Sequence, residues 1–386
     1  MLKCTTLHTF EIDNPGLAVD NILEQLSKKI TLLQHSVGII MCHPEFIATG
    51  ALKQIYEALP FDLAGITTSS QSVNDEIGET ILTIFVMTSD DARFLVGVTG
   101  DLSEGIDAPL EAAYKSVTEG VAEQPKLAII FPPLGNHSSD AYVRAMEKCT
   151  PNTPVFGSSA IDDTVSFEES ETIYNGMNSA VAMPFVLCYG NIQPRFLLAT
   201  LPANSVVSSK SKITEAKGNV IYEINNMNAL EYFKESEYSA NINYMIPFLI
   251  DLVNREDFDG IPVMRGFTSF TDDGAAVFGG DVDEGSTFTL LNCDPDDIIS
   301  TTCKAIRDLN KLQGVNGAIL FSCVVRRAVL LSTNKPLAEL LCAKDMINPD
   351  IPFMMGYSGG EMCPTSIRDG VPTNRFHNYT VVVLAV

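Results

Sequence analysis

Ala318-Ile319-Leu320-Phe321-Ser322-Cys323 is a β-rich apolar run that turns polar within two residues of its end. Leu127-Ala128-Ile129-Ile130-Phe131 has the same make-up, and the elements around the two runs also match. The earlier run follows a strand pattern at 94–98 and a helical pattern at 109–121; it precedes a helical pattern at 140–148, the glycine-ended run Pro154-Val155-Phe156-Gly157 and a strand pattern at 178–183. The later run follows a strand pattern at 288–291 and a helical pattern from Asp297; it precedes a helical pattern from Pro336, the run Pro352-Phe353-Met354-Met355-Gly356 and a strand pattern at 378–384. Six elements recurring in one order predict an internal duplication. A shorter third echo runs from Val37-Gly38-Ile39-Ile40-Met41 through a helical stretch at 48–59 to Leu63-Ala64-Gly65-Ile66 and a strand pattern at 81–87. Strands and helices alternating at this pace predict an α/β (mixed α+β) fold of two related halves, each with a β-sheet flanked by helices.

The polar interruption at 201–218, with Asn204, four serines and three lysines, predicts a boundary between domains 1–200 and 201–386. The acidic run at 168–171 reads as a hairpin excursion inside the first half.

Composition narrows the function. With 46 % hydrophobic and 19 % charged residues in 386, the chain has the balance of a packed globular protein. Its 25 Lys and Arg against 48 Asp and Glu give a net charge of −23, which repels nucleic acid and anionic lipid. No stretch approaches the roughly 20 apolar residues of a membrane helix, and residues 1–14 lack the apolar core of a secretory signal. Nine scattered cysteines, without a Cys-x-x-Cys pair or zinc spacing, predict reduced thiols in a cytoplasmic protein. Neither a metal nor a cofactor is expected. The acidic loops Asp272-Asp273-Gly274 and Gly280-Asp281-Val282-Asp283-Glu284 lack EF-hand spacing and read as solvated turns; His43 and His137 have no partner at ligand spacing.

The groups able to do chemistry gather at predicted strand ends, where open α/β sheets collect ligands. Gly356-Tyr357-Ser358-Gly359-Gly360-Glu361 can turn sharply and offer amide N–H groups to an anion, yet it lacks dinucleotide-fingerprint spacing. Read as the end of a strand, Arg326 and Arg327 point to opposite faces, so at most one of them clamps a ligand carboxylate, and the alternative is that one or both balance surface acid. Cys323, three residues before Arg326, is either a pocket wall, a redox sensor or a nucleophile with His377 as base. Glu361 and His377 are either pocket groups or an internal pair pinning the last hairpin, and Asn378 either lines the pocket or bonds backbone.

Phe321-Ser322-Cys323 with Arg326 or Arg327, Gly356 to Glu361, and Phe376-His377-Asn378-Tyr379-Thr380 before a terminal apolar strand together resemble the C-terminal module of the FIST family. Gly218-Asn219-Val220-Ile221-Tyr222-Glu223-Ile224 is similar to the start of that module, and Gly279, Asp281 and Val282 with Glu284-Gly285 to its middle. Residues 30–200 resemble the N-terminal FIST module, with Gly65-Ile66-Thr67-Thr68-Ser69 and Val155-Phe156-Gly157-Ser158-Ser159-Ala160 at its two turns; the first departs from the family pattern in having no Glu directly after it. The resemblance implies an intracellular sensory protein that binds a small ligand, an amino acid or a small carboxylate, and passes the signal to a separately encoded output protein. The alternatives are a thiol-dependent hydrolase or acyltransferase using Cys323 and His377, and a non-catalytic signalling scaffold.

Overall fold

The computed structural model describes residues 1–135, 137–164, 166–202, 206, 208–235, 247–252 and 259–386. Asn204 and Ser205 of the expected linker lie outside them. The chain runs three times through one sequence of elements. The first pass is β1 (Leu2–Thr9), α1 (Pro15–Lys29), β2 (His35–Cys42), α2 (Glu45–Ala48), α3 (Ala51–Ala58), β3 (Asp62–Thr67), the hairpin β4 (Gln71–Val73) and β5 (Ile77–Gly78), and β6 (Leu82–Ser89). The second is β7 (Ala92–Val98), α4 (Asp107–Val117), β8 (Leu127–Ile130), α5 (Ser139–Cys149), β9 (Val155–Ser158), the hairpin β10 (Thr172–Tyr174) and β11 (Met177–Ser179), and β12 (Pro184–Gly190).

The third pass opens with β13 (Arg195–Ala199) and is then interrupted by an inserted sheet. The insert holds β14 (Ser211–Lys217), β15 (Val220–Ile224), β16 (Met227–Asn228), α6 (Ala229–Glu235), β17 (Pro247–Asp251), β18 (Val263–Phe270), β19 (Ala276–Phe278) and β20 (Thr287–Leu290). The pass resumes with α7 (Pro295–Lys311), β21 (Ala318–Cys323), α8 (Val324–Leu331), α9 (Ala338–Met346), β22 (Phe353–Ser358), the hairpin β23 (Glu361–Arg368) and β24 (Val371–His377), and β25 (Val381–Ala385).

Each pass builds a six-stranded sheet whose last two strands come from another pass. The orders are β1-β6-β2-β3-β10-β11, β7-β12-β8-β9-β23-β24 and β13-β25-β21-β22-β4-β5. The hairpins are thus exchanged in a closed ring, and each covers a strand edge that would otherwise be open to pairing. The central pairs β2–β3, β8–β9 and β21–β22 are parallel, as expected for strands joined through helices.

The duplication read from sequence is therefore present, and the short third echo is a full copy of the same unit. One correspondence needs correction. Phe288 to Leu291 is not the counterpart of β7: β20 pairs with β14 and β17 in the insert, and β13 on β25 takes the place of β7 on β12. The strand placed at 178–183 is also displaced, since β12 starts at Pro184 and a proline is admitted at the first residue of a strand.

The three sheets face one shared core. Ile39 and Met41, Ile129, Ile319 and Phe321, and Val382 and Leu384 meet there, whereas Ile40, Ile130, Leu320 and Val383 turn outward to the helices of their own unit. Both faces of these strands are buried, which explains their unbroken apolar runs. Phe156 stacks on Phe321 across the core with centroids 5.3 Å apart, a contact worth about 1 kcal/mol beyond its buried area. The glycine ending the third strand is required by close approach: a Cβ on Gly65 would lie 1.7 Å from the Ile40 carbonyl oxygen, and one on Gly157 2.0 Å from that of Ile130.

Candidate functional site

At the C-terminal ends of the three parallel pairs the chain turns at residues 67–70, 158–161 and 357–361, and the three turns bond to one another. Thr68 Oγ1 donates to the Tyr357 carbonyl at 2.8 Å. The Tyr357 amide donates to the Ser70 carbonyl at 3.4 Å, that of Gly359 to Ser159 at 3.0 Å, that of Ser159 to Gly360 at 3.1 Å, and that of Ile161 to Thr67 at 3.2 Å. Every unit thus contributes to one junction. The hydroxyls of Ser69, Ser70 and Ser159 are buried there without a hydrogen-bond partner among the described residues. Leaving a buried hydroxyl unmatched costs about 1–3 kcal/mol, so three such groups in adjoining turns mark the place where a polar molecule would be most welcome.

The third turn carries the one carboxyl of the junction's turns. Glu361 is fully buried and accepts from Ser358 Oγ at 2.5 Å and Thr380 Oγ1 at 2.6 Å. Burial pushes its pKa up to about 8, against the smaller opposing effect of those hydroxyls, so at neutral pH the group is mostly an uncharged acid. The turn itself is held by the Gly360 amide on Ser358 Oγ at 3.0 Å, and Gly360 takes φ of 135°, a value that favours glycine.

Strand alternation sorts the expected site residues into separate places. Gly356, Cys323 and Ser358 lie on the core side with the turn, since Phe321 and Met354 of the same strands point inward. Tyr357 points outward into the helix layer, where its hydroxyl donates to the Pro336 carbonyl at 3.3 Å. Arg326 and Arg327 stand on α8 rather than at a strand end, because the chain passes from β21 directly into a helix. Arg326 is fully buried. It donates to Glu339 Oε1 through Nε at 3.0 Å and Nη2 at 2.8 Å, and also to the carbonyls of Tyr379 and Ile298 and the hydroxyls of Thr301 and Thr302. Glu339 further accepts from Ser322 and Thr302. The guanidinium is consumed in tying α8 to α7, α9 and the Tyr379 carbonyl, and Glu339 joins β21 to them through Ser322. Arg327 meets the exposed Glu79 at 2.9 Å, and its Nε is buried without a partner among the described residues.

His377 lies opposite Glu361 in the β23–β24 ladder, and the Asn378 side chain lies beside Gly360, its Nδ2 3.3 Å from where a Cβ on that glycine would stand. The His377 ring shares a hydrogen bond with the Cys363 carbonyl at 3.0 Å, and burial lowers its pKa to about 3, which keeps it neutral. Asn378 Oδ1 accepts from the Gly266 amide at 3.0 Å and so pins the insert to the end of β24. The thiol of Cys323 is fully buried, and burial, followed by the neighbouring Glu361, raises its pKa far above the ordinary value. A thiol holding its proton and an imidazole engaged by backbone do not form the nucleophile and base of the hydrolase alternative. Asp281, read as part of a solvated turn, is buried against Ser138 and Arg144 of the second unit.

The residues that sequence reasoning missed are Ser69, Ser70, Ser159 and Thr380. Ser69 and Ser159 stood in quoted glycine-and-serine turns, but only the tertiary packing brings those turns together.

Fold and site define an α/β protein of three interlocked units with a polar junction at their centre. The chain belongs to the FIST family: the FIST N domain matches residues 36–227 and the FIST C domain residues 229–364, and these are sensory and signalling domains. Among solved structures it is similar to a cyanuric acid hydrolase from A. caulinodans, at 10 % identity and a TM-score of 0.36, over 100 % of this chain and 99 % of that one. A second similar structure is described as "Cyanuric acid hydrolase: evolutionary innovation by structural concatenation", at 7 % identity and a TM-score of 0.32, over 100 % and 99 % of the two chains. No curated protein matches the chain. No helix among the described residues is long and apolar enough to cross a membrane.

Proposed function

We propose that the protein is a cytoplasmic sensor that holds a small ligand, an amino acid or a small carboxylate, at the junction of the three turns and reports it to a separately encoded signalling protein. The observation that carries this reading is the trio of buried, unmatched hydroxyls on Ser69, Ser70 and Ser159. A ligand that satisfies them recovers a desolvation cost already present in the fold. Because the turns belong to different units, such a ligand favours one mutual arrangement of the units, and that differential affinity is what a signal requires. An uncharged Glu361 lets a carboxylate approach, whereas an ammonium group beside it would favour its ionised form. With Arg326 consumed by Glu339 and the amides of Tyr357, Ser159, Gly359, Gly360 and Ile161 bonded within the junction, recognition falls to the unmatched hydroxyls. Nine free cysteines suit a reducing compartment.

The test is a thermal-shift panel of amino acids and small carboxylates on the wild-type chain, Ser69→Ala and Ser159→Ala. A melting-temperature rise in wild type, with affinity weakened by about tenfold in either variant, is the expected result. Absence of any shift across the panel, or equal affinity in all three proteins, would defeat the reading.

A further inference from the structure

Cys303 on α7 and Cys342 on α9 bring their sulfur atoms to 3.3 Å, with the Cys303 thiol donating to Cys342. The contact follows from how the helices pack. One residue before Cys303, Thr302 donates to Glu339 at 2.5 Å, and Glu339 stands one turn before Cys342, so the two helices are held in matching register. Both cysteines are partly exposed, unlike the buried Cys42, Cys188, Cys323 and Cys363. We propose that Cys303 and Cys342 form an oxidisable pair that closes a disulfide between α7 and α9 on reaction with a low-molecular-weight disulfide.

Closing the gap to a bonded S–S distance needs a movement of roughly 1.3 Å, within the reach of side-chain torsions. In the first step a thiolate from one cysteine attacks the small disulfide, forming a mixed disulfide and releasing one small thiol. The second cysteine gives its proton to solvent, attacks the protein sulfur of the mixed disulfide and releases the other small thiol. Two protein thiols are oxidised and one small disulfide is reduced to two thiols. Burial, and then the hydrogen bond with Cys303, push the pKa of Cys342 up to about 12, which keeps this thiol protonated at neutral pH in the reduced protein. The link would also lock the two helices that hold Arg326, whose Nη1 bonds the Tyr379 carbonyl next to Thr380 at the junction. Oxidation would therefore stiffen the frame behind the third turn.

The full chain is incubated with oxidised glutathione, its remaining thiols are alkylated, and a non-reducing peptide map is read by mass spectrometry. The expected result is one cross-linked species joining the Cys303 and Cys342 peptides. Alkylation of both should fall by about tenfold or more and return with dithiothreitol, and the species should vanish in Cys303→Ser and in Cys342→Ser. Full alkylation of both thiols after oxidation, separate glutathione adducts on each, or links to other cysteines or between chains would overturn the proposal; these outcomes are read on the wild-type protein and do not depend on the variants folding.

Discussion

Replacing Glu361 by Gln should change how stability depends on pH, and the size of the change follows from its surroundings. The side chain is fully buried between Ser358 and Thr380, and its pKa rises from 4.5 to about 8 on folding. Between those values the folded state holds a proton that the unfolded chain has released, so stability falls as pH rises through the window. At about 1.4 kcal/mol per unit, the full penalty above the window is ~5 kcal/mol, and between about pH 5.5 and about pH 8.5 the loss is ~3 kcal/mol. The glutamine side chain of the Glu361→Gln variant cannot ionise, and its amide can accept from one hydroxyl and donate to the other. His377 acts in the opposite sense. Its pKa falls from 6.5 to about 3, so it costs stability as pH drops below 6.5, but it is common to both proteins and cancels in the comparison. The assay is urea unfolding at the two pH values, followed by far-ultraviolet circular dichroism because the chain has no tryptophan. The variant should show ~3 kcal/mol less loss toward high pH than wild type. Parallel pH profiles would show that Glu361 is ionised in the fold and would remove the neutral acid from the junction.

The buried Arg326–Glu339 pair makes a second prediction: Arg326→Met should destabilise the chain by about 3–5 kcal/mol by leaving a buried carboxylate uncompensated, and adding Glu339→Met should recover much of that loss. Denaturant midpoints of the single and double variants decide it, and a single variant as stable as wild type would show that the pair is not the structural tie described above. The hairpin ring makes a third. Residues 1–200 expressed alone lack the β23–β24 hairpin on β9 and the β22 strand that β4 covers, so the fragment should not unfold cooperatively. A monomeric fragment with a sharp thermal transition near that of the full chain would refute it.

Much of the architecture is legible because it is imposed locally. Strands buried on both faces must be continuously apolar, so 37–42, 127–131 and 318–323 announce themselves, and the glycines that end the partner strands answer a backbone contact that admits no Cβ. Helix starts are equally local: Asn14 caps α1 by accepting from the Leu17 amide at 3.1 Å, with Pro15 at the first position. The family resemblance rests on the same stretches.

Pairing partners are not local, and what depends on them had to come from the tertiary structure. A short apolar run such as 288–291 looks the same whether it opens a repeat or belongs to an insert; only its hydrogen bonds to β14 and β17 decide. The exchange of hairpins among units leaves no mark on residue type, because the mixed strands β4, β10 and β23 do not reveal which distant strand edge each docks on. Arg326 read as a ligand clamp because a cation after a strand has a free side chain until a partner is found, and Glu339, thirteen residues on, supplies it. The sequence by itself determined the strands, the repeated order and the turns at their ends. Which turns meet, and hence that Ser69, Ser70 and Ser159 share one junction with Glu361, was decided by packing three sheets onto a single core, a result of long-range contacts that no neighbouring residue encodes.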